Sequence, residues 1–116
     1  MLNGSDRRRR GAYDCPVEFA LDVLSGKWKA VILARLKEEP LAYGQLRKLV
    51  PNLSDKVLTE RLKDLEGDGL IERKRAADGR FRYSVTRRAA GLRPMLQALY
   101  EWGLMTAAEM GVEIRQ

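Results

Sequence analysis

The side chains best suited to chemistry in this chain lie within residues 54–63, whose sequence is SDKVLTERLK. Lys56 is a long cationic donor, Thr59 carries a hydroxyl and a methyl group, and Glu60 is an acceptor. Groups of these kinds discriminate the edges of nucleic-acid bases. Lys63 lies further along the stretch and is better placed for a backbone phosphate. The stretch therefore predicts a surface that contacts a nucleic acid.

A helix has to present these side chains on one face. Ser54 is a good N-cap residue, and Asp55 suits the positive end of the helix dipole. Arg61 lies near the apolar border, where a backbone contact or packing is expected. Asp68-Gly69 offers a left-handed stop. The buried stripe is formed by leucines spaced four and three apart: Leu58, Leu62 and Leu65. The predicted contacts of this helix are Ser54, Lys56, Thr59, Glu60, Arg61 and Lys63.

A basic hairpin is predicted directly after this helix. Residues 70–76 and 81–85 are strand-like, and Asp78-Gly79 between them is a strong turn signal. Basic side chains on such a hairpin reach phosphates or a minor groove, and a solvated strand face is the alternative. The predicted contacts of the hairpin are Lys74, Arg80 and Arg82.

The charge of the chain favours an anionic partner. The net charge is +6, from 22 basic and 16 acidic side chains. The basic residues concentrate in residues 7–10 and 73–88, whereas the residues after Ala89 are close to balance.

Several kinds of chemistry are not expected. The chain has no histidine, and Cys15 is its only cysteine, so histidine metal sites, a zinc knuckle, histidine catalysis and an internal disulfide are excluded. Ser25-Gly26-Lys27 lacks the earlier glycine of a phosphate-binding loop, and Trp28 follows it. The carboxylates that alternate with basic residues in the helix are expected to form solvated ion pairs rather than a catalytic pair: Glu60, Asp64 and Glu66. We therefore expect no enzyme, no metal, no cofactor and no membrane span.

The remaining segments complete a mainly helical α+β domain. Residues 1–12 are predicted to be a flexible basic arm, residues 13–110 one domain, and residues 111–116 a tail. Helices are expected from Pro16, over residues 27–37 with Trp28 and Val31 buried, over 43–49 with Leu49 inward, and from Pro94 to about residue 110. Residues 41–42 are a candidate short strand. Two helices joined by residues 50–53 and followed by a basic hairpin predict a winged helix-turn-helix.

Residues 15–103 resemble the HxlR-type winged helix-turn-helix transcriptional regulators. The most specific matches are Cys15-Pro16 and Gly26-Lys27-Trp28, at their spacing in this chain. Further matches lie at residues 43–47, 58–62, 68–70, 83–86 and 102–103. The resemblance implies a cytoplasmic prokaryotic regulator that binds pseudo-palindromic operator DNA as a homodimer through its first and last helices. The expected interface residues are Val17, Phe19, Met95, Leu99, Trp102 and Met105.

Two departures from the family pattern bear on the DNA contacts. The turn at residues 76–80 is shorter than the proline-rich wing common in the family, so the wing contacts transfer least. Ala42 stands where an arginine often precedes the aromatic residue, which removes one phosphate contact.

Cys15 is a candidate redox or electrophile sensor. It lies just before a helix N-terminus and close in sequence to the arginines of residues 7–10, and both features favour a reactive cysteine. Some members of the resembled family use a cysteine at this place to sense oxidants or electrophiles. The alternative is a small apolar residue without a sensing role, and the effector is unassigned.

Two other functions remain open beside DNA binding. An RNA-binding winged helix suits the charge pattern, but a dimer-forming terminal helix fits it poorly. A protein-interaction winged helix is the third reading, and the basic hairpin argues against it.

Overall fold

The fold is that of a computed structural model, which describes residues 11–115. It contains six helices and one antiparallel hairpin in this range. In chain order the elements are α1 (Pro16–Val23), α2 (Lys27–Leu36), α3 (Tyr43–Leu49), α4 (Asp55–Gly67), β1 (Ile71–Arg75), β2 (Phe81–Val85), α5 (Arg87–Ala90) and α6 (Arg93–Glu109). The mainly helical winged helix-turn-helix is therefore confirmed. Residues 1–10 of the predicted arm lie outside the described range, and the predicted domain limits stay predictions.

Helix α4 begins and ends as its sequence predicts. The Val57 N–H donates to the Ser54 hydroxyl at 3.2 Å, which satisfies one free amide of the first turn. At the other end, Gly69 adopts a φ of 73°. The amides of Gly69 and Leu70 then donate back to the carbonyls of Glu66 and Leu65, each at 2.9 Å. This pair of bonds closes the helix and directs the chain into β1.

The hairpin is anchored to the helices at its base. Ile71 pairs with Val85 and Arg75 with Phe81, so the register fixes which side chains share a face. Leu41 exchanges two backbone hydrogen bonds with Tyr83, at 2.9 and 2.8 Å. The predicted strand at 41–42 is thus a single bridge, because Ala42 already caps α3.

The core lies between α2, α4 and the base of the hairpin. The predicted leucine stripe of α4 is buried, and it meets the apolar face of α2. The core residues of these two helices are Ile32, Leu33, Leu36, Leu58, Leu62 and Leu65. Deletion of one such side chain costs about 2–5 kcal/mol.

Three expected core positions were placed wrongly. Trp28 and Val31 are only half-buried and flank the core. Leu49 is 41% exposed, whereas Val50 and Leu53 in the turn after α3 are buried. A side chain near the end of a short helix can remain exposed when apolar residues of the following turn occupy the core instead.

The short helix α5 was not predicted. Thr86 starts it, since its hydroxyl accepts from the Ala89 N–H at 3.4 Å. The same hydroxyl donates to the Gly69 carbonyl at 2.6 Å. Thr86 therefore joins the end of the hairpin to the end of α4.

Candidate nucleic-acid interface

Helix α4 carries the exposed polar face that the sequence predicts. Lys56, Thr59 and Lys63 are exposed, and Glu60 is half-buried. Ser54 is exposed, but its hydroxyl already accepts the capping bond from Val57. The first two turns of α4 thus present a donor, a hydroxyl and an acceptor to solvent, which are the groups that base recognition requires.

Arg61 and Asp64 form a pair that differs from the solvated pairs expected for this helix. An Arg61 guanidinium nitrogen donates to Asp64 Oδ2 at 2.9 Å. Asp64 is 1% exposed. The expectation that Asp64 forms a solvated ion pair was wrong, because its side chain points toward the core rather than to water. Arg61 therefore compensates a buried carboxylate, in line with its expected place at the apolar border.

Asp55, the first residue of α4, is bound to both ends of the preceding helix. The Tyr43 hydroxyl donates to Asp55 Oδ1 at 2.7 Å, and Arg47 Nε donates to the same oxygen at 2.8 Å. These two hydrogen bonds lower the pKa of Asp55, the Tyr43 bond more than the Arg47 bond. Tyr43 and Arg47 are four residues apart and so share one face of α3. Asp55 thereby joins α3 to α4 across the turn.

The same contact shifts the pKa of Tyr43. Partial burial and the hydrogen bond to Asp55 raise the pKa of Tyr43, and a hydrogen bond with Thr59 acts in the opposite direction. Thr59 is one of the predicted base contacts. Sequence reasoning missed the contacts of Tyr43 and Arg47 with Asp55, because these residues lie on two different helices.

Two of the three predicted wing cations have acidic partners within the hairpin. An Arg82 guanidinium nitrogen donates to Asp78 Oδ2 at 3.0 Å, and Lys74 Nζ lies 3.5 Å from Glu72. The Arg80 backbone N–H and the Arg82 side chain lower the pKa of Asp78. The side chain of Arg80 is exposed at the turn.

The other face of the hairpin carries a basic and aromatic cluster that sequence reasoning missed. The guanidinium carbons of Arg73 and Arg75 lie 5.0 and 4.7 Å from the centre of the Phe81 ring. Phe81 is exposed. The period-2 pattern of the strands was the available signal, since Arg75 pairs directly with Phe81 and Arg73 lies two residues away. A cation–π contact holds guanidinium groups in place without cancelling their charge.

The wing is fixed beside α4 by one arginine and one glycine. Arg88 donates to the Asp68 carbonyl at 2.7 Å, at the negative end of the α4 dipole. A Cβ on Gly69 would lie 2.8 Å from the same guanidinium. The glycine therefore lets the helix end, the arginine and the hairpin lie close together.

A second surface is apolar and lies on α1 and α6. Trp102 is 61% exposed, and the other five predicted interface side chains are exposed as well: Val17, Phe19, Met95, Leu99 and Met105. They leave an apolar face uncovered along α6, while Leu96 of the same helix is buried in the core. Exposed apolar patches of this kind mark interaction surfaces.

Cys15 is exposed and is the N-cap residue of α1, where its side chain makes no capping hydrogen bond. The arginines of residues 7–10 lie outside the described range, so their distance from the thiol stays a prediction. Between residues 11 and 115, no helix is both long and apolar enough to span a membrane.

Comparison with known proteins identifies the family. The HxlR-like helix-turn-helix family model matches residues 23–110. An HTH-type transcriptional regulator of Methanothermobacter thermautotrophicus is 36% identical over 95 residues, which cover 80% of this chain and 72% of that protein. The HTH-type regulator YybR of Bacillus subtilis is 33% identical over 91 residues, covering 77% of this chain and 73% of YybR.

Two solved structures share the fold. The redox regulator HypR in its reduced form is 29% identical with a TM-score of 0.74, over 84% of this chain and 98% of HypR. The reduced form of the regulator YodB from B. subtilis is 28% identical with a TM-score of 0.67, over 78% of this chain and 91% of YodB. The chain therefore belongs to the HxlR-like helix-turn-helix family of transcriptional regulators.

Proposed function

We propose that this regulator binds pseudo-palindromic operator DNA as a homodimer, with α4 in the major groove and the wing on the adjacent backbone. The observation that carries the proposal is the exposed polar face of α4, which adjoins a basic wing fixed at Gly69. Lys56, Thr59 and Glu60 would read bases, with Ser54, Arg61 and Lys63 near phosphates. Relatives from bacteria and an archaeon support a prokaryotic, cytoplasmic place of action.

The apolar face of α1 and α6 supports the homodimer. Two-fold symmetry would place two copies of α4 about 34 Å apart, which matches successive major grooves on one side of a duplex. The same face has to be covered in solution, because it is too apolar to remain in water without cost. A second copy of the chain covers it with a surface of the same composition.

Two alanine substitutions test the assignment of roles to helix and wing. Lys56→Ala should change which base pairs are preferred, at a cost of about 1–3 kcal/mol for the preferred site. Arg82→Ala should weaken binding to all sequences by a similar factor. It should also lower the salt dependence of binding by the amount of about one phosphate contact. Arg115→Ala removes one charge from the end of the chain and serves as the control. A uniform effect of Lys56→Ala on all duplexes would refute base reading by this residue.

The same binding measurements separate DNA binding from the other readings. Association with a nucleic acid weakens steeply as salt rises, whereas an interaction with an apolar protein surface does not. Competition with RNA duplexes and single strands then distinguishes an RNA-binding winged helix.

We also propose that Cys15 makes operator binding responsive to oxidants or electrophiles. The thiol is exposed at the start of α1, next to the proposed dimer surface. The structural similarity to the redox regulator HypR supports this role. Operator binding should change on treatment with peroxide, diamide or an aldehyde in the wild type and not in Cys15→Ser. Equal behaviour of the two proteins under all three reagents would remove the sensing role.

A further inference from the structure

One carboxylate occupies two donors that would otherwise be available to a DNA phosphate. Asp55 Oδ1 accepts from the Tyr43 hydroxyl at 2.7 Å and from Arg47 Nε at 2.8 Å. Arg47 also contacts the Val50 carbonyl at 3.4 Å. The Asp55 carboxylate and the Val50 carbonyl thus hold the Arg47 guanidinium against the turn between α3 and α4.

The position of Asp55 is one that backbone phosphates commonly use. The N-terminus of a helix attracts anions through its free amides and its dipole, and many DNA-binding helices meet a phosphate there. In this chain, the Ser54 hydroxyl already accepts a hydrogen bond from one of these amides, and the Asp55 carboxylate adds a negative charge at the same end. A phosphate that approaches α4 here meets a like charge and a neutralised Arg47.

The ion pair between Asp55 and Arg47 is exposed enough for another anion to replace Asp55. The side chain of Asp55 is 75% exposed and that of Arg47 is 32% exposed. Ion pairs with this exposure are weak and sensitive to salt. They can therefore open when a competing anion is held nearby.

We propose that Asp55 determines specificity by competing with DNA phosphates for Arg47 and Tyr43 while it orients α4 for base contacts. The inference rests on the proposed DNA binding. Non-specific binding consists of phosphate contacts, so the charge of Asp55 weakens it. Base contacts need the geometry of α4, which the bonds from Tyr43 and Arg47 to Asp55 fix. One side chain thus opposes non-specific binding and supports specific binding.

Asp55→Asn separates these effects, because it removes the charge and keeps an oxygen that can accept. We expect binding to a random-sequence duplex to tighten by about threefold, the scale of one exposed ion pair. Binding to a selected operator should stay equal or weaken, so the ratio of the two affinities falls. The salt slope for the random duplex should steepen by about 0.9 as Arg47 gains a phosphate.

Two further variants connect the effect to its partners. Arg47→Ala should weaken random-duplex binding more in the Asp55→Asn background than in the wild type, because only there is the charge of the guanidinium no longer balanced by a carboxylate. Glu113→Gln, in the exposed segment after α6, removes one negative charge outside α3, α4 and the hairpin and is the matched control. It should leave the ratio of affinities unchanged. Thermal unfolding of each variant, followed by circular dichroism, shows that differences in binding arise in folded protein.

The outcomes distinguish this inference from the proposed function. A wild-type protein that binds no duplex in a salt-dependent manner contradicts both. The role of Asp55 alone is overturned if the wild type binds DNA but Asp55→Asn changes the affinity for both duplexes by the same factor. It is also overturned if Asp55→Asn does not tighten binding to the random-sequence duplex. Tyr43→Phe gives an independent check, since it should lower operator affinity without the tightening on random DNA that loss of the Asp55 charge causes.

Discussion

At the scale of single residues, Asp55 makes folding stability depend on pH in a definite direction. Its pKa in the folded protein lies below the ordinary 3.8, because of the bonds from Tyr43 and then Arg47. A carboxyl whose pKa is lowered by folding stabilises the fold above its unfolded pKa, and this contribution is lost as the pH falls through the folded pKa.

The corresponding prediction concerns the difference between the wild type and Asp55→Asn. The free energy of unfolding of the wild type should exceed that of the variant most above about pH 4, and the excess should shrink toward pH 2. Urea titrations across this range measure it. A difference that stays constant with pH would show that the contact contributes nothing through the charge of Asp55.

The polar side chains illustrate what a sequence predicts at this scale. Exposure of Lys56, Thr59 and Lys63 followed from their spacing opposite the leucines, since a helix fixes which residues share a face. The partners of Asp55 and the burial of Asp64 did not follow, because they depend on how α3 and the core approach α4. Helical periodicity carries no information about that approach.

At the scale of elements, the end of α4 controls the direction of the wing. Gly69 has a φ of 73°, and Arg88 and Thr86 both bond to the backbone beside it. A side chain here is strained by its backbone conformation and also pushes against the Arg88 guanidinium.

Gly69→Ala should therefore lower the free energy of unfolding by about 1–2 kcal/mol, the cost of a left-handed conformation for an L-residue. It should also weaken binding to all duplexes by displacing the wing. Gly67→Ala is the matched control, since Gly67 is helical with nothing within 4 Å of a Cβ, and it should stabilise by up to about 1 kcal/mol. Urea unfolding measures both variants. Equal effects of the two substitutions would contradict the proposed role of Gly69.

The main elements could be predicted because each carries its own boundary signal. Ser54 and Gly69 mark the ends of α4, and Asp78-Gly79 marks the hairpin turn. Helix α5 was missed because four residues show no periodicity, and its cap, Thr86, follows directly on a strand. The contact of Phe81 with two arginines was not predicted, because it depends on which face of the hairpin each basic residue occupies and not on charge alone.

At the scale of the whole molecule, the exposed apolar face of α1 and α6 predicts self-association. Trp102→Glu places a carboxylate within that face, where burial without a partner is strongly unfavourable. The variant should remain folded but monomeric, and it should lose the tight binding that two half-sites provide.

Sedimentation velocity measures this prediction directly. Arg93→Glu is the control, because Arg93 is exposed and lies nine residues before Trp102, about half a helical turn away around α6. It should leave the association state unchanged. A wild type that sediments as a monomer at all concentrations would contradict the proposed dimer.

Selection of bound duplexes from a random pool tests directly whether two copies of α4 read operator DNA. We expect enrichment of a two-fold-related motif whose half-sites lie about one helical turn, or 34 Å, apart. Enrichment of no motif, or of a single motif without two-fold symmetry, would contradict it.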